Sequence, residues 1–408
     1  MRPVLKPFPL MITLLATAGL ARDAHAAAGH AAAAHAAAAP DVVIHAEQEG
    51  RYPSVAADAK GGLHIAYVAR QQSKDAEDVF YTTSKDGKSW SAAVNVSNTP
   101  GSSMEPSIAV DSHGGLVVAW SESVPGGTFP DIFSSASSDG GKTWSEPVNI
   151  SSTPTQSGAS SVSASVDGIF HMVWTDTGAG DKQSDIWYSR SIDHGLNWDK
   201  AVDLSNTPGV SNATELAVGP KGELAVTWSD TTGPGGAQSD IWFTVSTDGG
   251  KTWAKATNIS NTPGISANPA IAIDAKGAIY VAWDDISAGD TRPDIFLLVS
   301  HDAGKTFDKS INISKTPGIS SNPEIAAAGD GQLAVVWVDM SRDASTPDIW
   351  FAGSVNGGKT LGKSRDLTNA EGACTSPGVV ITGGKAHVVW EEDLPTQANV
   401  RTLETTLK

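Results

Sequence analysis

The stretch Ser137-Ser138-Asp139-Gly140-Gly141-Lys142-Thr143-Trp144 decides the fold, because it returns. Copies run from Ser191 to Trp198, from Ser246 to Trp253 and, with an aromatic exchange, from Ser300 to Phe307. A copy one residue shorter spans Ser84 to Trp90, and a decayed one with Asn356 spans Ser354 to Leu361. In such a turn the Asp accepts bonds from backbone N–H groups, Gly supplies positive φ, and the aromatic packs between strands. Each copy reads as a self-sufficient hairpin lock. Asp86, Asp139, Asp193, Asp248 and Asp302 are accordingly assigned to structure and not to catalysis.

Outward from this turn the chain repeats. One unit is plain from Asn268 to Ser314: Asn268-Pro269, an alternating run Ile271 to Asp274, a Lys276-Gly277 turn, Ile279 to Trp283, an acidic loop, Asp294-Ile295-Phe296, the Ser-x-Asp turn and Asn312-Ile313-Ser314. That is four short strands separated by turn chemistry. The aromatic ending the second strand stands at Tyr67, Trp120, Trp174, Trp228, Trp283, Trp337 and Trp390, so seven units are present. The seventh has three strands before Lys408, while Val42-Val43-Ile44-His45 precedes unit one as Val94-Asn95-Val96-Ser97 precedes unit two. The pattern predicts an all-β, seven-bladed β-propeller of four-stranded antiparallel blades over residues 41–408, with the N-terminal strand closing the last blade. Closure leaves no blade face uncovered. A six-bladed ring with a separate C-terminal hairpin is the alternative, and it leaves residues 42–45 unpaired.

Composition agrees with one large folded unit. Apolar residues make up 40% of the 408, and Gly 41 with Pro 22 stays well below the share that marks disorder. Arg2 and Lys6, an apolar run from Leu10 to Ala21, and Ala24-His25-Ala26 predict a cleaved signal peptide over residues 1–26 and export to a periplasm or the cell exterior. That run is too short to span a membrane, so no membrane anchor is expected. The leader holds three cations against one anion, so the net charge of −17 becomes about −19 without it, which argues against a nucleic-acid partner. Cys374 is the one cysteine, excludes an intrachain disulfide, and reads as a small half-buried residue. Residues 27–40, nearly all Ala with His30 and His35, read as a low-complexity linker; five-residue spacing does not stack the histidines on one helical face as metal ligands.

The Ser-x-Asp-x-Gly-x-Thr-Trp turns resemble the Asp-boxes, or BNR repeats, of the sialidase superfamily, over about 365 residues. The resemblance implies a propeller whose boxes lie on the face opposite the ligand site. It also implies an opening Arg-Ile-Pro in the first blade, further arginines gripping a substrate carboxylate, an acid/base Asp, and a late Tyr nucleophile activated by Glu. Arg51-Tyr52-Pro53 stands where the first motif belongs, Arg70 where a companion Arg would lie, and Asp75 where the acid/base would lie. The five tyrosines are Tyr52, Tyr67, Tyr81, Tyr188 and Tyr280, so the late nucleophile is missing. Asn212 replaces the expected Glu, with Glu215 three residues on, and the family's sialidases are six-bladed. A working exo-sialidase is not expected.

Residues that break the repeat at first-strand starts are the better site candidates: Arg51, Tyr52, Glu105, Asn268 and Asn322, together with Arg70 after the second strand, for binding a ligand, and Glu215 and Glu324, together with Asp75 in the loop after Arg70, as the carboxyls for any catalysis. Loops after the second strands are acidic, with Glu122, Asp176 and Asp181, Asp230, Asp284, Asp285 and Asp290, Asp339 and Asp343, and Glu391, Glu392 and Asp393. Ca²⁺ is the cofactor such oxygen donors suit. None fits a spaced calcium-loop pattern, so they read as a solvated rim with no metal assigned. The Asp that opens each third strand, such as Asp78 and Asp131, is expected to cap its own loop. The preferred function is an exported module binding a glycan or protein on its loop face without chemistry. The alternative is a glycoside hydrolase acting on a carboxylate-bearing sugar at the channel mouth.

Overall fold

The structure, a computed structural model, describes residues 42–44, 49–70, 76–177, 183–232, 238–286, 291–343 and 345–408. The expected leader, the Ala/His tract and Asp75 lie outside the described residues. Seven four-stranded antiparallel sheets form the blades of a propeller, and the one helical element described is a single 3₁₀ turn at Gly329–Gly331. In blade one the strands are Gly50–Ala57, Leu63–Arg70, Glu77–Ser84 and Val94–Asn95, each bonded to the one before. Blade seven has Ala373–Thr382, Lys385–Asp393 and Ala398–Thr406, and its outer strand is Val42–Ile44, paired in register with Thr402, Arg401 and Val400. The six-bladed alternative is thereby overturned.

Second strands are buried almost end to end, as expected of strands covered by a blade on each face. Their repeat aromatics carry the contacts between blades: Trp120 of blade two packs with Val68, Val79 and Tyr81 of blade one. All six such tryptophans are at most 1% exposed, and burial of a side chain this large contributes about 3 kcal/mol. Cys374 lies wholly inside this packing, not half-buried, and burial pushes its thiol up to about 12.

The Asp-box turns also act between blades. Asp139 accepts bonds from Lys142 N, Thr143 N and Thr143 Oγ1 at 2.9, 3.0 and 2.7 Å, which hold its carboxyl well below the usual carboxylate range. Trp144, however, sets its ring edge-on against Tyr81 of the preceding blade at 5.2 Å, and Trp253 meets Tyr188 in the same way at 4.9 Å. A Cβ on Gly141, at φ +84°, would stand 2.0 Å from Tyr81 Cε1. The second glycine of the box is therefore required by the neighbouring blade as well as by its own turn. This corrects the reading of a self-sufficient hairpin lock.

Candidate functional site: the channel mouth

The first strand of every blade skips register near its start, as between Arg51 and Ser54 or between Asn212 and Glu215. Within each skip one non-glycine residue is left-handed: Tyr52, Glu105, Ala159, Ala213, Asn268, Asn322 and Ser376 have φ between 47° and 52°. A β-bulge leaves its extra residue out of the ladder, so the proline that follows in five blades (Pro53, Pro106, Pro269, Pro323 and Pro377) forfeits no strand hydrogen bond. Left-handed backbone costs a residue with a Cβ about 1–2 kcal/mol. The bulge re-aims these seven side chains into the mouth of a central channel of about 670 Å³.

Four of the predicted binding residues, Tyr52, Glu105, Asn268 and Asn322, are members of this ring. Glu215 and Glu324 sit two residues further along their strands, at the level that holds Ser54, Ser107, Ser161, Ala270 and Gly378 in the other blades. Ser161 Oγ donates to Glu215 Oε2 at 2.8 Å. Burial pushes the Glu215 carboxyl up to about 7, and burial with the nearby charge of Glu215 lifts Glu324 well above its ordinary value. Glu105 is raised by burial too, and its Oε2 accepts Ala159 N at 3.4 Å. Asn268 Nδ2 donates at 3.2 Å to Asp284 Oδ2, whose carboxyl burial raises to about 7.

Three arginines near this face, Arg51, Arg342 and Arg292, are occupied. Arg51 Nη1 meets Glu391 Oε1 at 3.0 Å, and Glu391 Oε2 accepts Tyr52 N at 3.1 Å, which ties blade one to blade seven. Arg342 Nε pairs with Asp348 Oδ2 at 2.9 Å, and Arg292 donates to the Pro317 carbonyl. Arg70 is exposed at the end of its strand, beside residues outside the description. Tyr67, Tyr81, Tyr188 and Tyr280 are buried between blades. That leaves Tyr52 at the mouth, where burial first and then the Glu391 charge raise its phenol and keep it protonated.

Most of the acidic rim is not solvated, and this is the main correction to the sequence reading; Asp343 and Asp393 are exposed as expected, and Asp181 and Asp290 lie outside the described residues. Glu122, Asp176, Asp230, Asp285, Asp339, Glu391 and Glu392 are all at most 4% exposed. Asp230 accepts Thr207 Oγ1, Ser211 Oγ and Trp228 Nε1 on one oxygen and Thr232 N on the other. Equivalent bonds run from Thr99 to Glu122, from Thr153 to Asp176, from Thr262 to Asp285 and from Thr316 to Asp339. These carboxylates fasten the link between consecutive blades. The Asp opening each third strand likewise reaches the fourth strand and does not cap its own loop: Asp131 accepts Asn149 Nδ2 at 2.8 Å and Ser151 Oγ at 2.9 Å. Among the described residues no three His, Cys, Asp or Glu side chains are grouped to hold a metal ion.

A family profile described as BNR repeat-like domain matches residues 35–226, somewhat under half of the chain. Similar solved structures include a Hadza microbial sialidase, 19% identical with a TM-score of 0.53, covering 75% of this chain and 66% of that one. A protein of unknown function from Dyadobacter fermentans DSM 18053 is 15% identical with a TM-score of 0.57, covering 91% and 99%. A PL25 polysaccharide lyase, an ulvan lyase, is 10% identical with a TM-score of 0.62, covering 90% and 96%. At these identities the likeness concerns the fold alone, and this chain spans just under two thirds of the sialidase. No curated protein matches the chain. Residues 35–226 thus carry a BNR repeat-like match, and the chain as a whole shares the β-propeller fold of these structures, built here with seven blades.

Proposed function

We propose that this is an exported, non-catalytic glycan-binding propeller whose site is the channel mouth. The observation that carries this reading is the ring of seven bulge residues, which sets Tyr52, Glu105, Asn268 and Asn322 around one opening. Amide and carboxyl groups there offer both donors and acceptors to sugar hydroxyls, and the Tyr52 ring offers an apolar face. Residues 1–26 support export through their charged, apolar and small-residue pattern.

Chemistry is poorly supported. A tyrosine nucleophile needs activation toward its phenolate, whereas Tyr52 is held the other way. Acid/base hydrolysis needs one carboxyl kept ionised beside a protonated one, and burial disfavours the ionised form of both Glu215 and Glu324. Acidic sugars are disfavoured as well, since Arg51 is paired and the channel wall is acidic. The test is calorimetric binding of neutral oligosaccharides to the purified protein and to Tyr52→Ala, with release of a fluorescent group from matched glycosides measured alongside. Binding that weakens tenfold or more in Tyr52→Ala, without turnover, is expected. Turnover abolished by Glu215→Gln or Glu324→Gln would replace this reading with a glycoside hydrolase.

A further inference from the structure

Two carboxyls project from the channel wall at one level, and one of them has nothing to bond. Glu215 takes Ser161 Oγ at 2.8 Å and the backbone N–H of Leu216. Glu324 has no hydrogen-bond donor among the described residues; wall surrounds its carboxyl, and what area it exposes faces the channel. In three other blades the same level holds serine, and each serine accepts a backbone N–H of the next blade: Ser54 from Ile108, Ser107 from Val162 and Ser161 from Leu216. Blades four and six thus give up a wall bond and place a long acid there instead. Blade five between them carries only Ala270, so nothing bulky stands between the two. Among the described residues no Lys, Arg or His lines the channel. At the rim, Asp284 behind Asn268 is 7% exposed and keeps Oδ1 without a donor.

We propose that the channel binds a primary ammonium group, seated between Glu215 and Glu324 after passing Tyr52 and Glu105. Two carboxylates are too few to satisfy a divalent cation, which takes six or more oxygens or a third protein ligand. An ammonium has three N–H donors, which suits two acids and one wall hydroxyl, and passage beside an aromatic ring favours a cation. The raised affinity of both acids for protons agrees with a site that lacks its positive charge. The net charge of −17 draws cations toward the opening. An amine-bearing sugar and a lysine side chain present the same group, and the proposal covers the amino form of the glycan inferred above, resting on that reading only for the sugar part.

The experiment is calorimetry on the purified protein at pH 7 with five probes: glucosamine tetramer, N-acetylglucosamine tetramer, cellotetraose, spermidine and Nα-acetyl-lysine amide, whose ε-amine is free. The glucosamine tetramer is expected to bind at least tenfold tighter than the two neutral tetramers. Glu324→Gln and Glu215→Gln are each expected to remove tenfold or more of that affinity while leaving the neutral tetramers unchanged. Equal binding of free-amine and N-acetylated tetramers, or indifference to Glu324→Gln, overturns the ammonium site while leaving glycan binding standing. Spermidine or the lysine amide binding in a Glu324-dependent way, with every tetramer silent, sustains the ammonium site and sinks the glycan reading. Silence from all three amines overturns the proposal.

Discussion

Asp230→Ala tests whether the acidic rim is structural. The Asp230 carboxylate is fully buried and takes four donors: Thr207 Oγ1 and Ser211 Oγ at 2.7 Å, Trp228 Nε1 at 3.3 Å and Thr232 N at 2.7 Å. Truncation leaves all four without an acceptor in a space that excludes water. At about 1 kcal/mol for each stranded donor, the loss is about 4 kcal/mol, at the upper end for a single substitution. Thr207→Val removes one donor and leaves three, so about 1 kcal/mol is expected there. The assay is urea unfolding followed by tryptophan fluorescence; with a slope of about 3 kcal/mol/M, the Asp230→Ala midpoint falls by about 1.3 M. Asp139→Ala, in an exposed Asp-box, serves as the comparison and is expected to shift the midpoint less. If Asp230→Ala unfolds within 0.3 M of the parent, or if Asp139→Ala is the worse of the two, the buried carboxylates do not hold the blades together.

Gly141→Ala is expected to cost about 3 kcal/mol, because the new methyl meets the Tyr81 ring at φ +84°, whereas Gly140→Ala, at φ +77° with open space around it, costs about 1 kcal/mol; the two melting temperatures give the comparison. His171 is buried against Tyr188 OH at 2.8 Å, and burial lowers it to about 4. Its unfolded form takes up a proton near pH 6.5 and its folded form near 4, so stability falls by about 3 kcal/mol as pH drops through that window. His171→Gln should lose this dependence, and parallel urea-midpoint profiles for parent and variant would refute it. Glu215 has the opposite sign: its folded value of about 7 lies above the unfolded one, so the penalty is fully present above pH 7 and is relieved as pH falls. Glu215→Gln should therefore stabilise the protein by about 3 kcal/mol at pH 8 and by nothing measurable at pH 4.5.

Blade number and ring closure were legible because they rest on spacing. One aromatic every 53 to 55 residues counts the blades, and Val42-Val43-Ile44 stands in the slot of a missing fourth strand. The site was legible in part. Tyr52, Glu105, Asn268 and Asn322 stood out as exceptions to the repeat, yet the left-handed bulge that aims them was hidden. Ala and Ser occupy it in three blades, and neither residue announces positive φ. The acidic rim was misread because acidity was judged without its donors. A threonine stands 23 residues before each of five rim carboxylates, from Thr99 and Glu122 to Thr316 and Asp339, and that fixed interval was the available signal. Arg51 illustrates the reverse error, since a motif position says nothing about the acid that fills the guanidinium fork, here Glu391 from the far end of the chain.

The seam of blade seven makes the molecule a judge of its own length. Residues 42–44 leave the ribosome first among the propeller's strands, and their partners at 400–402 leave last. Every earlier blade can form from contiguous chain, but the circle cannot close until residues 400–402 have emerged. A product cut short by even ten residues at the C-terminus keeps six complete blades and loses most of Ala398–Thr406, the strand on which Val42–Ile44 must lie. Such a fragment presents Ile44, Tyr67 and Val389 to water in place of a closed joint. The short first strand thereby marks unfinished copies by their sticky edges, where proteases and chaperones act first.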